Sequence, residues 1–217
     1  MNPLAAFARG GVRAIDLALQ RYYHVFEFTD DSACILRVAR SLSARDIELS
    51  DGTRIARGEP VLELHLWNEQ LPALPRDGAP SLTWGIEMTK RARHSLRLLA
   101  AYLARAPQFD HIRALHGEAG FLELDQFPEM RVLAERLGFD FVPGDAPGWR
   151  VWKYAFWQNL FSWWLMWTFN PASLRGKHFD EMARSELWMS RAVLMEKFGE
   201  RAAHLAAAAH VENWRTS

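Results

Sequence analysis

Between Cys34 and Glu69 short runs carry apolar residues at a period of two, and glycine-bearing turns separate them. Cys34, Leu36 and Val38 alternate with Arg37, and Ile47 and Leu49 alternate with Asp46 and Glu48. A period of two sends successive side chains to opposite faces, which commits this stretch to strands rather than helix. Asp51-Gly52 signals a tight turn, because both central positions of that turn favour positive φ, and Gly58 with Pro60 marks a second. Three or four antiparallel strands follow. The last, Val61 to Glu69, sets Leu62, Leu64 and Leu66 on one face and Glu63, His65, Trp67 and Glu69 on the other.

Elsewhere the period lengthens. Val12, Ile15, Leu19, Tyr22 and Tyr23 predict an amphipathic helix over 12–23. After a proline-rich loop (Pro72, Pro75, Pro80), Met88, Ala92, Leu96, Leu99 and Leu103 form the buried stripe of a long helix over 82–105. A short strand from Ile112 to His116 is expected to end in a Gly117/Gly120 turn. A helix from Pro128 to Leu137 stops at Gly138, and Phe139 to Val142 reads as strand. Glu186 to Arg191 predicts a last strand, and 192–210 a closing helix. The order of elements implies one α/β domain over 1–217, a mixed and largely antiparallel sheet flanked by helices.

With 49% hydrophobic residues, the 217-residue chain can bury a real core. Its 26 Lys plus Arg balance 26 Asp plus Glu, which fits neither a disordered tail nor a nucleic-acid-coating protein. A single cysteine, Cys34, excludes disulfide frameworks and paired-cysteine zinc sites. Residues 1–20 lack the apolar run of a secretory signal, so a cytoplasmic protein is expected. Six of the ten tryptophans fall between Trp149 and Trp167. Trp157, Trp163, Trp164 and Trp167 suit a membrane interface, an acyl or glycan ligand, or equally a buried aromatic helix. From Tyr154 to Phe169 the segment would reach roughly 24 Å as helix, too short for a bilayer core of roughly 30 Å.

Asp51-Gly52-Thr53, the run from Glu59 to Glu69, Leu133 to Phe139, and Glu186 to Arg191 resemble the YkoP-like domain family over about residues 34–191. That resemblance implies a bacterial domain that occurs alone or attached to polysaccharide deacetylases. The element order is also similar to that of the Gcn5-related acyltransferases, with Leu133-Ala134-Glu135-Arg136-Leu137-Gly138-Phe139 resembling the end of one of their helices. This second resemblance implies acyl-CoA as cofactor, bound by a glycine-rich loop at the start of the long helix, where Gly85 is retained. Ala134 stands where that family carries its proton donor, and Glu87 stands where the loop needs a small residue and would repel a pyrophosphate.

Four constellations follow. Glu63 and His65 share a strand face on which the imidazole could act as general base with Trp67 as a stacking wall, or be an ordinary polar face. His116 and Glu118, in a glycine bend beyond a strand, could face the same cleft, or equally the bend is structural and His116 a surface or core residue. Lys90, Arg93 and Arg97, with His94, gather on one helix face that could hold phosphate or simply be solvated. Thr29-Asp30-Asp31 and His94-Ser95 faintly resemble the metal-site motifs of polysaccharide deacetylases, but Leu98 stands where a second histidine is required, so neither deacetylase nor metal site is expected. The combined reading is an acyltransferase-like protein acting on a lipid or amino sugar in bacterial envelope metabolism, peripheral on the inner membrane. The alternative is a non-catalytic module that docks on that membrane or on an envelope-biosynthesis enzyme. No nucleic-acid partner is expected.

Overall fold

The computed structural model describes residues 21, 24–72, 81–119, 128–143 and 185–199. The helix expected over 12–23, the tryptophan-rich segment 149–169 and the closing helix beyond 199 lie outside the described residues. The period-two residues form β1 (Leu36–Leu42), β2 (Ile47–Glu48), β3 (Arg54–Ile55) and β4 (Pro60–Leu66). Then come α1 (Leu82–Ala104), β5 (Ala114–Ala119), α2 (Pro128–Leu137), β6 (Asp140–Pro143), β7 (Ser185–Ser190) and α3, helical over 191–199.

Five of these strands make one sheet in the order β1-β4-β5-β7-β6. Only β4 and β5 run parallel; β1 with β4, β5 with β7 and β6 with β7 are antiparallel. The mixed α/β class with a mostly antiparallel sheet is therefore as the sequence implied. Three expectations need correction. The strands β2 and β3 do not join the sheet but pair with each other as a separate ribbon. The strand β4 stops at Leu66, and a 3-10 turn over Asn68–Gln70 carries Glu69 away from the strand face. Gly117 is not a turn but lies inside β5, paired with Leu64 on one side and Leu187 on the other.

The long helix α1 begins because Ser81 caps it, its Oγ accepting from the backbone N–H of Trp84 at 3.2 Å. It lies on the apolar face of the sheet, where Leu96, Leu99 and Leu103 share one core with Leu62, Leu115 and Met189. Arg191 binds the far end of α1 from the start of α3, through Leu103 O at 3.2 Å and Asp110 Oδ1 at 2.9 Å. Gly138 ends α2 at φ +98°, and a Cβ there would meet Val193 Cγ1 at 2.8 Å, so glycine is required twice over. On the opposite face of the sheet a smaller cluster, Leu49, Ile55, Val61, Ala114 and Trp188, seats the β2–β3 ribbon. Asp51 in the turn of that ribbon accepts from Ser190 Oγ at 2.5 Å, and Ser190 caps α3 by accepting from Val193 N at 3.0 Å.

Candidate functional site

The same alternation that sends Leu62 and Leu64 toward α1 sends Glu63 and His65 to the other face of β4. On that face Glu63 stands opposite His116, His116 opposite Trp188, and Glu118 opposite Glu186. Glu63, His65, His116 and Glu118 are thus brought together, on the inside of two neighbouring strands rather than in a loop. The ladder between β4 and β5 pairs only Leu62 with Leu115, Glu63 with His116 and Leu64 with Gly117. Both strands run on past that point, with β4 still paired to β1 at His65 and Leu66, and β5 still paired to β7 at Glu118 and Ala119. His65 and Glu118 thus lie one position beyond the last paired residues of β4 and β5, toward the carboxyl ends of both strands.

The two imidazoles are held differently. His65 Nε2 lies 3.6 Å from Glu63 Oε1, and His116 Nε2 lies 3.7 Å from Glu186 Oε2. Both separations exceed a hydrogen bond. Both nitrogens are covered and have no hydrogen-bond partner among the described residues. His65 keeps 35% of its side chain exposed, but that exposure belongs to the rest of the ring and not to Nε2. Burial pulls the His65 pKa below its ordinary 6.5 against the carboxylates of Glu63 and Glu118, and His116 and Arg37 push it the same way as burial. The ring is neutral at pH 7, the state a general base needs.

His116 rests on Trp188, ring centroids 4.4 Å apart and tilted by 33°. Glu186 accepts from Trp188 Nε1 at 2.9 Å and pairs with Arg45 Nη2 at 2.8 Å. Glu186, Trp188 and Arg45 are members of this cluster that sequence reasoning missed. The spacing of Glu186 and Trp188, two apart on a strand as Glu63 and His65 are, was the signal that could have found them. Arg37, the register partner of His65, is also new; its buried guanidinium reaches Glu27 at 3.2 Å and Glu69 at 3.8 Å. It covers the Trp67 ring at 4.3 Å. Trp67 is accordingly buried beneath an arginine and does not form the stacking wall expected of it.

The basic stripe is not part of this cluster. Lys90 and Arg93 are exposed and Arg97 half-buried on α1, which packs on the far face of the sheet. His94 is taken by Asp31, Nε2 to Oδ2 2.7 Å, a contact that pins the loop before β1 to the helix. At the start of α1, Gly85 N bonds Ser81 O at 2.9 Å, and a Cβ on Gly85 would meet nothing within 4 Å. The space around Gly85 is open, so no other part of the described chain requires a glycine there. Glu87 is held by Arg91 Nε at 2.8 Å, so its charge is met within the helix rather than turned on a ligand. An open groove of about 560 Å³ lies along β6, lined among others by Glu48, Arg131, Asp140 and Lys197, and none of the four clustered side chains lines it. Trp157, Trp163, Trp164 and Trp167 lie outside the described residues. Among the described residues no group of three His, Cys, Asp or Glu could hold a metal ion, and no helix is long and apolar enough to cross a membrane.

The YkoP domain model matches residues 11–198 of the chain. The chain belongs to the YkoP domain family. Neither a curated protein nor a solved structure matches it. Two of the stretches that carry the sequence resemblance meet in space, since Asp51 of the Asp-Gly turn binds Ser190 at the end of β7. The YkoP domain thus ties its β2–β3 ribbon to the N-cap of α3, behind the wall that holds His116.

Proposed function

We propose that this YkoP domain is an acyl-transfer enzyme, with His65 as the general base that takes a proton from an attacking amine or hydroxyl and Glu63 as the carboxylate that steadies it. The observation that carries the reading is the neutral His65 imidazole beside Glu63, just past the paired part of the parallel β4–β5 ladder. In open sheets ligands settle beyond the carboxyl ends of strands where the connectivity switches, and the β4–α1–β5 crossover supplies such a point. The order β1-β4-β5-β7-β6, with one parallel pair bridged by a long helix, supports an acyltransferase-like architecture related to the Gcn5 class. The acceptor class is an amine or hydroxyl on a lipid or amino sugar of the bacterial envelope, reached from the inner-membrane surface.

Glu87 stands where a pyrophosphate-binding loop needs a small residue, so the donor is read as an acyl thioester or ester recognised near its acyl group. The test offers the whole chain both acetyl-CoA and the short thioester S-acetyl-N-acetylcysteamine, with glucosamine or ethanolamine as acceptor, and follows acylated product by mass spectrometry. Product is expected with the short thioester, and His65→Gln should lower its rate by about 10²- to 10⁴-fold. Absence of product with every donor and acceptor would sink the enzyme reading. The same Glu87 favours a second reading, an accessory module that binds no donor and docks on a membrane or partner enzyme. Flotation of the chain with anionic liposomes, lost on replacing Trp163 and Trp164 by Ala, would support that alternative.

A further inference from the structure

The helix α1 is held to the sheet unevenly along its length. Its buried residues are Ser95, Leu96, Leu99, Ala100 and Leu103, and none lies in its first half. Two contacts fix how the helix runs. Ser95 Oγ accepts from Ile35 N at 2.8 Å, next to the Leu36–Leu66 pair at the carboxyl end of β4. Leu103 O accepts from Arg191, which follows the Ala114–Ser190 pair at the amino end of β5. The helix therefore runs back along β4, and the residues before Ser95 continue past the end of the strand that bears His65. From Leu82 to Ser95 that is about 20 Å of helix.

On the inner side of this length Met88 and Ala92 still pack against the core. The outer side is open. Leu82 is 82% exposed and Ile86 61%, and Lys90, Arg93 and Arg97 follow them. At 3.6 residues per turn these five positions fall within an arc of about 80°, so they form one stripe, apolar at its tip and cationic behind.

The cations of the stripe are uncompensated. From Met88 to Phe109 the sequence contains no Asp or Glu, in a chain whose charges otherwise balance. Lys90, Arg93 and Arg97 form no ion pair among the described residues, and the acids nearest α1 are committed to its other side chains. Glu87 is held by Arg91 Nε at 2.8 Å, and Asp31 by His94 Nε2 at 2.7 Å.

We propose that the first half of α1 docks on an anionic lipid surface, with Leu82 and Ile86 entering the interfacial layer and Lys90, Arg93 and Arg97 meeting lipid phosphates behind them. Aliphatic side chains at the tip and cations within the next turns match the order of layers in a bilayer surface. A nucleic acid would satisfy the cations but gives Leu82 and Ile86 no apolar layer to enter. A second copy of this chain would bring the same uncompensated cations to the contact. The inference is independent of the acyl-transfer reading. Where both hold, the docked molecule turns the carboxyl end of β4, and with it His65, toward the lipid.

The test is flotation of the whole chain with vesicles of phosphatidylcholine alone and of phosphatidylcholine with phosphatidylglycerol in equal parts. The chain should float only with phosphatidylglycerol, and added salt should weaken binding. Each basic residue near such a surface strengthens binding about fivefold, so Lys90→Glu with Arg93→Glu should weaken it about 25-fold or more. Leu82→Gln with Ile86→Gln leaves the charge unchanged and keeps good helix formers at exposed positions, and should weaken binding about tenfold or more. If that pair loses the native circular dichroism spectrum, the Lys90→Glu and Arg93→Glu protein decides alone. A wild type that floats with neither vesicle, or equally with both, overturns the proposal. So does flotation that both α1 variants retain and that replacing Trp163 and Trp164 by Ala abolishes, since the contact then lies elsewhere. A wild-type dimer on size exclusion that Leu82→Gln with Ile86→Gln converts to monomer would make the stripe a contact between copies and overturn the lipid assignment.

Discussion

The two faces of β4 and β5 are made by neighbouring residues and obey different rules. On the face toward α1, Leu62 and Leu115 are fully buried in one apolar cluster with Leu96, Leu99 and Met189. One residue along, on the opposite face, Glu63 and His116 sit in a cluster of ionisable groups in which two ring nitrogens go without a hydrogen bond. The first face holds the sheet together, and the second accepts an energetic cost that packing alone would not retain. A strand that alternates in this way lets stability and chemistry be set by separate residues on one rigid element.

The sharpest test of that division is Leu99→Ala. It removes a side chain with no exposed surface and should lower unfolding free energy by about 3 kcal/mol in urea titrations. A loss below about 1 kcal/mol would mean that α1 is not the main anchor of the sheet.

Ser190→Ala addresses the join between the faces, because Ser190 both caps α3 and binds Asp51. The expected loss is about 1 kcal/mol. Burial pushes the Asp51 carboxyl up, but hydrogen bonds from Ser190 and Thr53 outweigh it and hold the group below its ordinary 3.8. A carboxyl lowered on folding adds stability above its unfolded value, and that contribution is lost as pH falls below 3.8 through the folded value. Wild type should therefore lose more stability than Ser190→Ala between pH 5 and pH 2.5. Equal acid sensitivity would show that Ser190 does not set the Asp51 charge.

The smallest effect is predicted on the polar face. His65→Gln should change stability by less than about 0.5 kcal/mol at pH 8. The His65 pKa is lowered on folding, so the unfolded chain binds its proton more readily, and the wild type loses stability as pH falls from 6.5 toward the folded value. The variant lacks that titration and should gain on the wild type between pH 7 and pH 5.5. Parallel curves for the two proteins would place His65 outside the buried cluster.

What was legible in the sequence was local. The alternation from Val61 to Leu66 announced both the buried leucines and the Glu63–His65 pair, and Gly138 marked the end of α2. What was not legible depended on partners far along the chain. Gly117 reads as a turn because glycine usually weakens a strand, yet here it lies in a ladder between Leu64 and Leu187, where a Cβ would come within 3.6 Å of Leu64 Cβ. Reading it as a turn ends the strand at His116 and leaves Glu118 outside it, whereas both belong to β5. Trp67 and Glu69 continued the period of two and were assigned to the strand, but Arg37 draws both into its own surroundings as β4 ends. Arg45 and Glu186 are separated by most of the chain, and no short-range pattern couples them.

The position of β7 has a consequence for how this protein is made. It lies between β5 and β6, both of which leave the ribosome well before it does. A nascent chain extended as far as Pro143 therefore presents two open strand edges, one belonging to the central strand that carries His116. Only when residues 185–190 emerge can the sheet close, so the wall behind His116 is the last part of the sheet to be built and the interval before it is when aggregation threatens. Chaperone demand during synthesis should accordingly peak after β6 and end with β7.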